Sequence, residues 1–327
     1  MAFLIPPRTA QHSLDAVVIG RAGMDLYPDP HGTKTADADR FTSDLGGSAG
    51  NIAVAMARHG LDVGLAAPVS DDPVGQFVRN KLRHYGVEHL TPSPVQGGER
   101  TSLALAESRA SDCEVVIYRN QAADFALSPQ TFDITDVDRA PTLVATGTAL
   151  ALDPSRTTTL AALARSGCGM LDLDYRPYSW ESDGQAREVY FEAIEACDVI
   201  IGNDDEFGLL AGSVEGGKAL AETLARQRDG RLVIYKMGAQ GSVTFDGTGS
   251  FSTPIFPVDM LKPFGAGDAF MGGVLAALAS GQRVPDAIAF GSAAAAMVVA
   301  TRGCASAMPT TAEVQAFIAA RQPKAGG

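Results

Sequence analysis

Short, continuous apolar runs alternate along this chain with longer stretches of helical period. The runs fall at residues 14–20 (LDAVVIG), 63–67, and near 142–146, 169–173, 198–201 and 231–235. Each is bounded by turn residues, the pattern of a strand buried on both faces. Helical stretches lie near 155–166, 185–196, 204–211 and 216–228, and three more, at 269–279, 284–300 and 311–320, close the chain. The strand-helix alternation from residue 141 onward predicts an α/β parallel sheet with right-handed crossovers. The alanines at 293–296 read as helix packing, with an adenine-flanking surface as the alternative.

Two regions depart from this rhythm. Residues 101–107 and 113–119 are β-rich and separated by polar turn residues, which predicts a hairpin. With the segment after residue 21 and a short strand at 41–45, it predicts a small sheet apart from the main one, suited to a lid that excludes water. The lid segments are about 21–45 and 97–125 of one domain covering 1–327. Residues 27–40 read as polar turn, 1–12 as a loose tail and 242–257 as a β-meander. The helix after Gly46-Gly47 stops at Gly60, and Asp72-Pro73 opens another, with Asp as cap and Pro at the first position.

Composition narrows the class. A net charge of −12 is unsuited to nucleic acid or an anionic membrane. Cys113, Cys168, Cys197 and Cys304 lie far apart, as reduced thiols of a cytoplasmic protein would. The apolar run near the N-terminus is too short for a signal peptide. Residues 287–300 come closest to a membrane span and read instead as a buried helix.

The chemistry gathers at Lys262-Pro263-Phe264-Gly265-Ala266-Gly267-Asp268. A glycine turn opening a helix presents unpartnered amides that suit an anion. Asp268 in that position suits phosphoryl transfer, with Gly265, Ala266 and Gly267 holding the phosphoryl group and Asp268 accepting a hydroxyl proton. The plainer alternative is a helix N-cap. Asn51 opens the helix after Gly46-Gly47, at a cost in helix propensity that points to a ligand. Asp172, Asp174 and Arg176 follow one strand. Asn203, Asp204, Asp205 and Glu206 follow the next, either as a cap or as a Mg²⁺ environment. Lys236, Gly238 and Gly241 follow a third, as a loop able to lie close to nucleotide phosphates.

These pieces resemble the ribokinase-like (PfkB-type) sugar kinases from about residue 14 to 320. Gly46-Gly47-x-x-x-Asn51 and Gly265-Ala266-Gly267-Asp268 carry the match. The resemblance implies a doubly wound, mainly parallel sheet flanked by helices, with a small β lid, and MgATP-dependent phosphorylation of a sugar hydroxyl. It implies Asp268 as base, Asp25, Gly47 and Asn51 on the sugar hydroxyls, and Asn203, Lys236, Gly238 and Gly241 on the ATP side. Glu206 would act indirectly, on Mg²⁺ held with ATP. Many members carry Asp-Thr where this chain has Lys262-Pro263, which leaves the monovalent-cation site of relatives open here.

Gly20–Pro28, Tyr118-Arg119-Asn120, Asp172–Pro177 and Lys262-Pro263-Phe264 resemble members that act on a six-carbon sugar acid. Its carboxylate would need Arg21, Arg119 or Arg176. The expected sugar side is therefore Arg21, Asp25, Gly46, Gly47, Asn51, Tyr118, Arg119, Asp174 and Arg176. A near-isomeric sugar acid is the alternative substrate, and a non-catalytic sugar- or nucleotide-binding regulator is the alternative of another class. The resemblance also implies a homodimer through the lid.

Overall fold

The computed structural model describes residues 5–109 and 112–321. The first four residues of the expected tail, residues 110 and 111 of the expected lid, and residues 322–327 lie outside the described residues. The strands are β1 (Ala16–Ile19), β2 (Gly23–Asp29), β3 (Arg40–Gly46), β4 (Val63–Ala66), β5 (Glu88–His89), β6 (Leu103–Ala106), β7 (Val115–Tyr118), β8 (Leu143–Thr146), β9 (Gly169–Asp172), β10 (Cys197–Asn203), β11 (Leu232–Lys236), β12 (Ser242–Phe245) and β13 (Ser250–Thr253). The helices are α1 (Ser48–Arg58), α2 (Pro73–His84), α3 (Ser155–Arg165), α4 (Asp183–Glu195), α5 (Asp204–Ala211), α6 (Val214–Gln227), α7 (Ala266–Ala279), α8 (Val284–Val299) and α9 (Thr311–Ala319).

Among the described residues the main sheet has the order β13-β12-β11-β10-β9-β8-β1-β4-β5. It is parallel from β11 to β5. The expected meander extends it antiparallel at one edge, as β12 and β13. Successive side chains of the central strands enter different cores. Val18, Met170, Ile201 and Ile234 pack with α1, α7 and α8. Ile19, Leu171, Ile200 and Val233 pack with α4, α5 and α6. Strands covered on both faces need no polar alternate positions, hence the unbroken apolar runs.

The second sheet has the order β3-β2-β6-β7. The expected hairpin is present, with Leu103 opposite Tyr118 and Ala106 opposite Val115. The expected turn at 27–40 needs correction, because β2 continues through Tyr27, Pro28 and Asp29. β6 reaches only to Leu26, so Pro28 and Asp29 pair with β3 alone. A residue without an N–H is tolerated where one side of the strand is free.

Two helix contacts place the site. Gly272 on α7 lies so close to α1 that an added Cβ would be 2.5 Å from the Cβ of Ala55. A Cβ on Gly273 would lie 3.2 Å from the Cα of Gly291 on α8. Ala293 and Ala294 are fully buried in the same core, which is the packing role expected of the alanine run. These small residues draw α1, α7 and α8 together and bring the start of α1 against the start of α7.

Candidate active site

The helix carrying Asp268 starts at Ala266, earlier than its apolar period suggests. Gly265 adopts φ 82, a left-handed turn that only glycine takes without cost, and so begins the helix. The first bond back to the turn is from Ala269 N to Gly265 O at 3.1 Å. The amides of Ala266, Gly267 and Asp268 therefore precede the intrahelical ladder and lie at the positive end of the helix dipole.

Asp268 is not a cap. It is the third residue of α7 and makes no capping bond. Its Oδ2 instead accepts a hydrogen bond from Asn51 Nδ2 at 2.8 Å. Burial pushes its pKa up to about 7; Asp174 adds to the rise, and the Asn51 bond opposes it. A carboxyl poised near neutrality suits a base that must take a hydroxyl proton and later release it. Oδ1 of Asn51 is buried with no partner among the described residues. An orphaned acceptor beside the base is suited to a hydroxyl donor.

The loops ending β9, β10 and β11 surround this pair with charge. Ser48, at the start of α1, donates to Asp174 Oδ2 at 2.5 Å, and Arg176 pairs with Asp174 Oδ1 at 2.5 Å. Both oxygens of Asp174 are thus engaged, and Arg176 has a carboxylate of its own. Ser48 had no role in the sequence reading; its place directly after the glycine pair was the available signal. Lys236 lies beside the glycine turn, since a Cβ on Gly267 would be 3.4 Å from its Nζ. Burial works against the Lys236 charge, but Asp172, Glu206, Asp268 and Asp174 together hold its pKa above the ordinary lysine value.

Asn203 and Glu206 form a capping box on α5. Asn203 N donates to Glu206 Oε2 at 2.7 Å, and Glu206 N donates to Asn203 Oδ1 at 2.8 Å. The plain capping alternative is therefore realised, and only Oε2 of Glu206 is used by it. Burial raises the Glu206 carboxyl to about 7. Gly238 and Gly241 both take positive φ in an exposed turn after β11, with open space beside Gly238. Among the described residues no three His, Cys, Asp or Glu side chains come close enough to hold a metal by themselves.

The sugar side divides. Asp25 is buried, accepts from Tyr27 Oη at 3.1 Å, and packs against Gly46, where any Cβ would collide with its carboxylate. Gly47, at φ 90, caps α1 against the backbone of Arg21. Burial raises the Asp25 pKa, while Arg21 counters it without bonding to it. Arg21 is buried and has one hydrogen bond, from Nη1 to Ser102 Oγ at 2.9 Å, with no ion-pair partner among the described residues.

Arg119 needs correction as an anion hook. Its guanidinium is buried, donates to Asp124 Oδ2 at 3.0 and 2.5 Å and to Thr148 O at 2.8 Å, and stacks on Phe125. It is an internal tie between the hairpin and the end of β8. Tyr118 is 59 % exposed on β7, beside exposed Val115 and Val116, and among the described residues no side-chain hydrogen bond brings it to the cleft.

A glycine turn with free amides, a neutral-range carboxyl and a lysine at the carboxyl edge of a doubly wound sheet define an enzyme of phosphoryl transfer. The pfkB family of carbohydrate kinases matches residues 13–311, and this chain belongs to it. It is 40% identical over 318 residues to a 5-dehydro-2-deoxygluconokinase of Photobacterium profundum, covering 94% of this chain and 96% of the relative. It is 36% identical over 327 residues to one of Geobacillus kaustophilus, covering 97% of each. A double-mutant fructokinase of Vibrio cholerae, solved with fructose, ADP and potassium, superposes with a TM-score of 0.79 at 26% identity. That match covers 95% of this chain and 99% of the fructokinase. The protein is a carbohydrate kinase.

Proposed function

We propose that this kinase transfers the terminal phosphoryl group of ATP to the 6-hydroxyl of 5-dehydro-2-deoxygluconate, as a cytoplasmic step in myo-inositol breakdown. The observation that carries the sugar-acid reading is Arg21: of the three expected arginines, it is the one without a carboxylate partner among the described residues. A buried guanidinium with a single neutral bond favours a ligand carboxylate, which accepts two of its N–H groups at once. Asp25 and Asn51 then hold hydroxyls, and Asn51 Oδ1 accepts from one of them.

Asp268 takes the proton of the acceptor hydroxyl. The oxygen so freed attacks the terminal phosphorus, and ADP leaves. The amides of Ala266, Gly267 and Asp268, with Lys236, hold the negative charge of the group in transit. Lys236 and the Gly238–Gly241 turn flank the nucleotide. A Mg²⁺ ion would be held mainly by the nucleotide phosphates, with Glu206 and Asp172 near it, and would neutralise phosphate charge. The residues fit such an ion, since Glu206 keeps Oε1 free of its cap. The smaller sheet serves as the lid. Its exposed Phe41, Val115, Val116 and Tyr118 support pairing with a second copy through that sheet.

Measuring ADP release with ATP and a panel of sugar acids and neutral sugars tests this reading. The highest kcat/KM is expected with 5-dehydro-2-deoxygluconate, and Arg21→Met is expected to raise KM for the acid far more than KM for ATP. A preference for a neutral sugar, or an unchanged acid KM in Arg21→Met, would overturn it. Binding without turnover of any sugar would point to the regulator. Preference for 2-dehydro-3-deoxygluconate would keep the role of Arg21 and change the name of the acid.

A further inference from the structure

Lys262 is among the largest side chains that the fold removes wholly from water. Its loop is fastened to the end of α8, where Val299 O accepts from Leu261 N at 2.8 Å and from Lys262 N at 3.2 Å. The side chain then turns back beneath the glycine turn. Nζ donates to Phe264 O at 2.8 Å and lies 5.0 Å from the centre of the Phe264 ring. A Cβ on Gly265 would be 3.5 Å from Nζ and 3.1 Å from Cys304 Sγ. Burial draws the Lys262 pKa below the ordinary lysine value; Cys304, Asp268, Asp44 and Asp25 oppose it. No carboxylate bonds to Nζ among the described residues.

A buried ammonium with a single carbonyl partner opposes folding unless its charge is used. Here the charge lies directly under the turn that opens α7. Alkali ions in proteins are held by carbonyl and carboxylate oxygens, and an ammonium carries the same unit charge and takes the same oxygens. The residues here do not fit an exchangeable ion. The Phe264 carbonyl is already used, and a fixed positive charge occupies the space beneath Gly265.

We propose that the Lys262 ammonium is a built-in monovalent cation that fixes the turn at Gly265, so that phosphoryl transfer needs no added alkali ion. Lys262 is a positioning residue. It acts through Phe264 O on Gly265, and through Gly265 on the amides of Ala266, Gly267 and Asp268. The inference rests on the kinase activity but not on which sugar is the acceptor, because rates are compared on one substrate.

The test is to measure initial rates of the full chain in tetramethylammonium salts, then with K⁺, Na⁺ or NH₄⁺ added at constant ionic strength. The wild-type rate is expected to stay level in all of them. Lys262→Met is expected to lose about a hundredfold in kcat with KM for both substrates nearly kept, as for a displaced catalytic turn. In Lys262→Ala, which leaves room for an ion, K⁺ or NH₄⁺ should restore part of kcat and tetramethylammonium should not. A wild-type rate that climbs severalfold with K⁺ would overturn the proposal, as would full kcat in Lys262→Met. A folded Lys262→Ala that no cation restores would make the lysine a packing residue, again overturning it. If neither variant folds, the wild-type titration decides alone. Melting in K⁺ against tetramethylammonium supplies a readout independent of the acceptor sugar: a higher melting temperature in K⁺ would show a bound ion and sink the idea.

Discussion

Asn51 and Asp268, 217 residues apart in the chain, meet through a single hydrogen bond of 2.8 Å at the starts of two packed helices. The bond joins the two glycine-led motifs into one site. It also sets two quantities in opposition: crowding drives the Asp268 carboxyl toward the neutral form, and the Asn51 amide favours the ionised one.

Replacing Asp268 with Asn should cut kcat by about 10²–10⁴-fold, the usual contribution of a general base. ATP affinity should change little. The variant should also melt at a higher temperature above pH 7. Between the ordinary value of 3.8 and about 7 the folded state holds the Asp268 proton more tightly than the unfolded chain, so stability falls as pH rises through that window. Removing the carboxylate removes that loss. Steady-state kinetics, nucleotide titration and calorimetry at two pH values check all three outcomes.

The acid limb of kcat/KM should have its midpoint near pH 7, with activity lost below it, because the base must be ionised to act. Asn51→Ala removes the group that favours ionisation and should move the midpoint upward. Asp174→Asn removes a neighbouring negative charge and should move it downward. Shifts in the same direction in both variants would contradict this account of the site's electrostatics.

Arg119→Met should destabilise the fold by about 3–5 kcal/mol, because it leaves the Asp124 carboxylate buried without its partner. KM for the sugar acid should be unaffected in the folded fraction. Arg119→Met combined with Asp124→Leu should recover much of the loss. Chemical denaturation of the single and double variants measures this.

Gly272→Ala places a methyl 2.5 Å from the Cβ of Ala55, so α1 and α7 must separate. A cost of about 1–3 kcal/mol is expected from overpacking. A fall in kcat without loss of ATP binding should accompany it, since Asn51 and Asp268 move apart. Denaturation and kinetics on the same preparation check both.

Much of this was readable from residue order. Runs such as LDAVVIG declare strands covered on both faces, and Gly46-Gly47 and Gly265-x-Gly267 mark where helices open on a cleft. Tyr27-Pro28-Asp29 reads as a turn because its proline is acceptable only where β6 stops short, a fact of pairing and not of local preference. Arg119 reads as an anion hook because the sequence does not announce that Asp124 folds back beneath it. The isolation of Arg21 and the burial of Lys262 were equally hidden. Both depend on what distant segments bring, or fail to bring, to the side chain.

The Asp44 carboxylate, at the base of β3, accepts from Cys304 N at 3.1 Å, Ser306 N at 3.0 Å and Ser306 Oγ at 2.7 Å. The root of the outer sheet is therefore riveted to the segment that carries Cys304. Parting the small sheet from that segment would strip three donors from one buried carboxylate oxygen, so the two are held together at this corner.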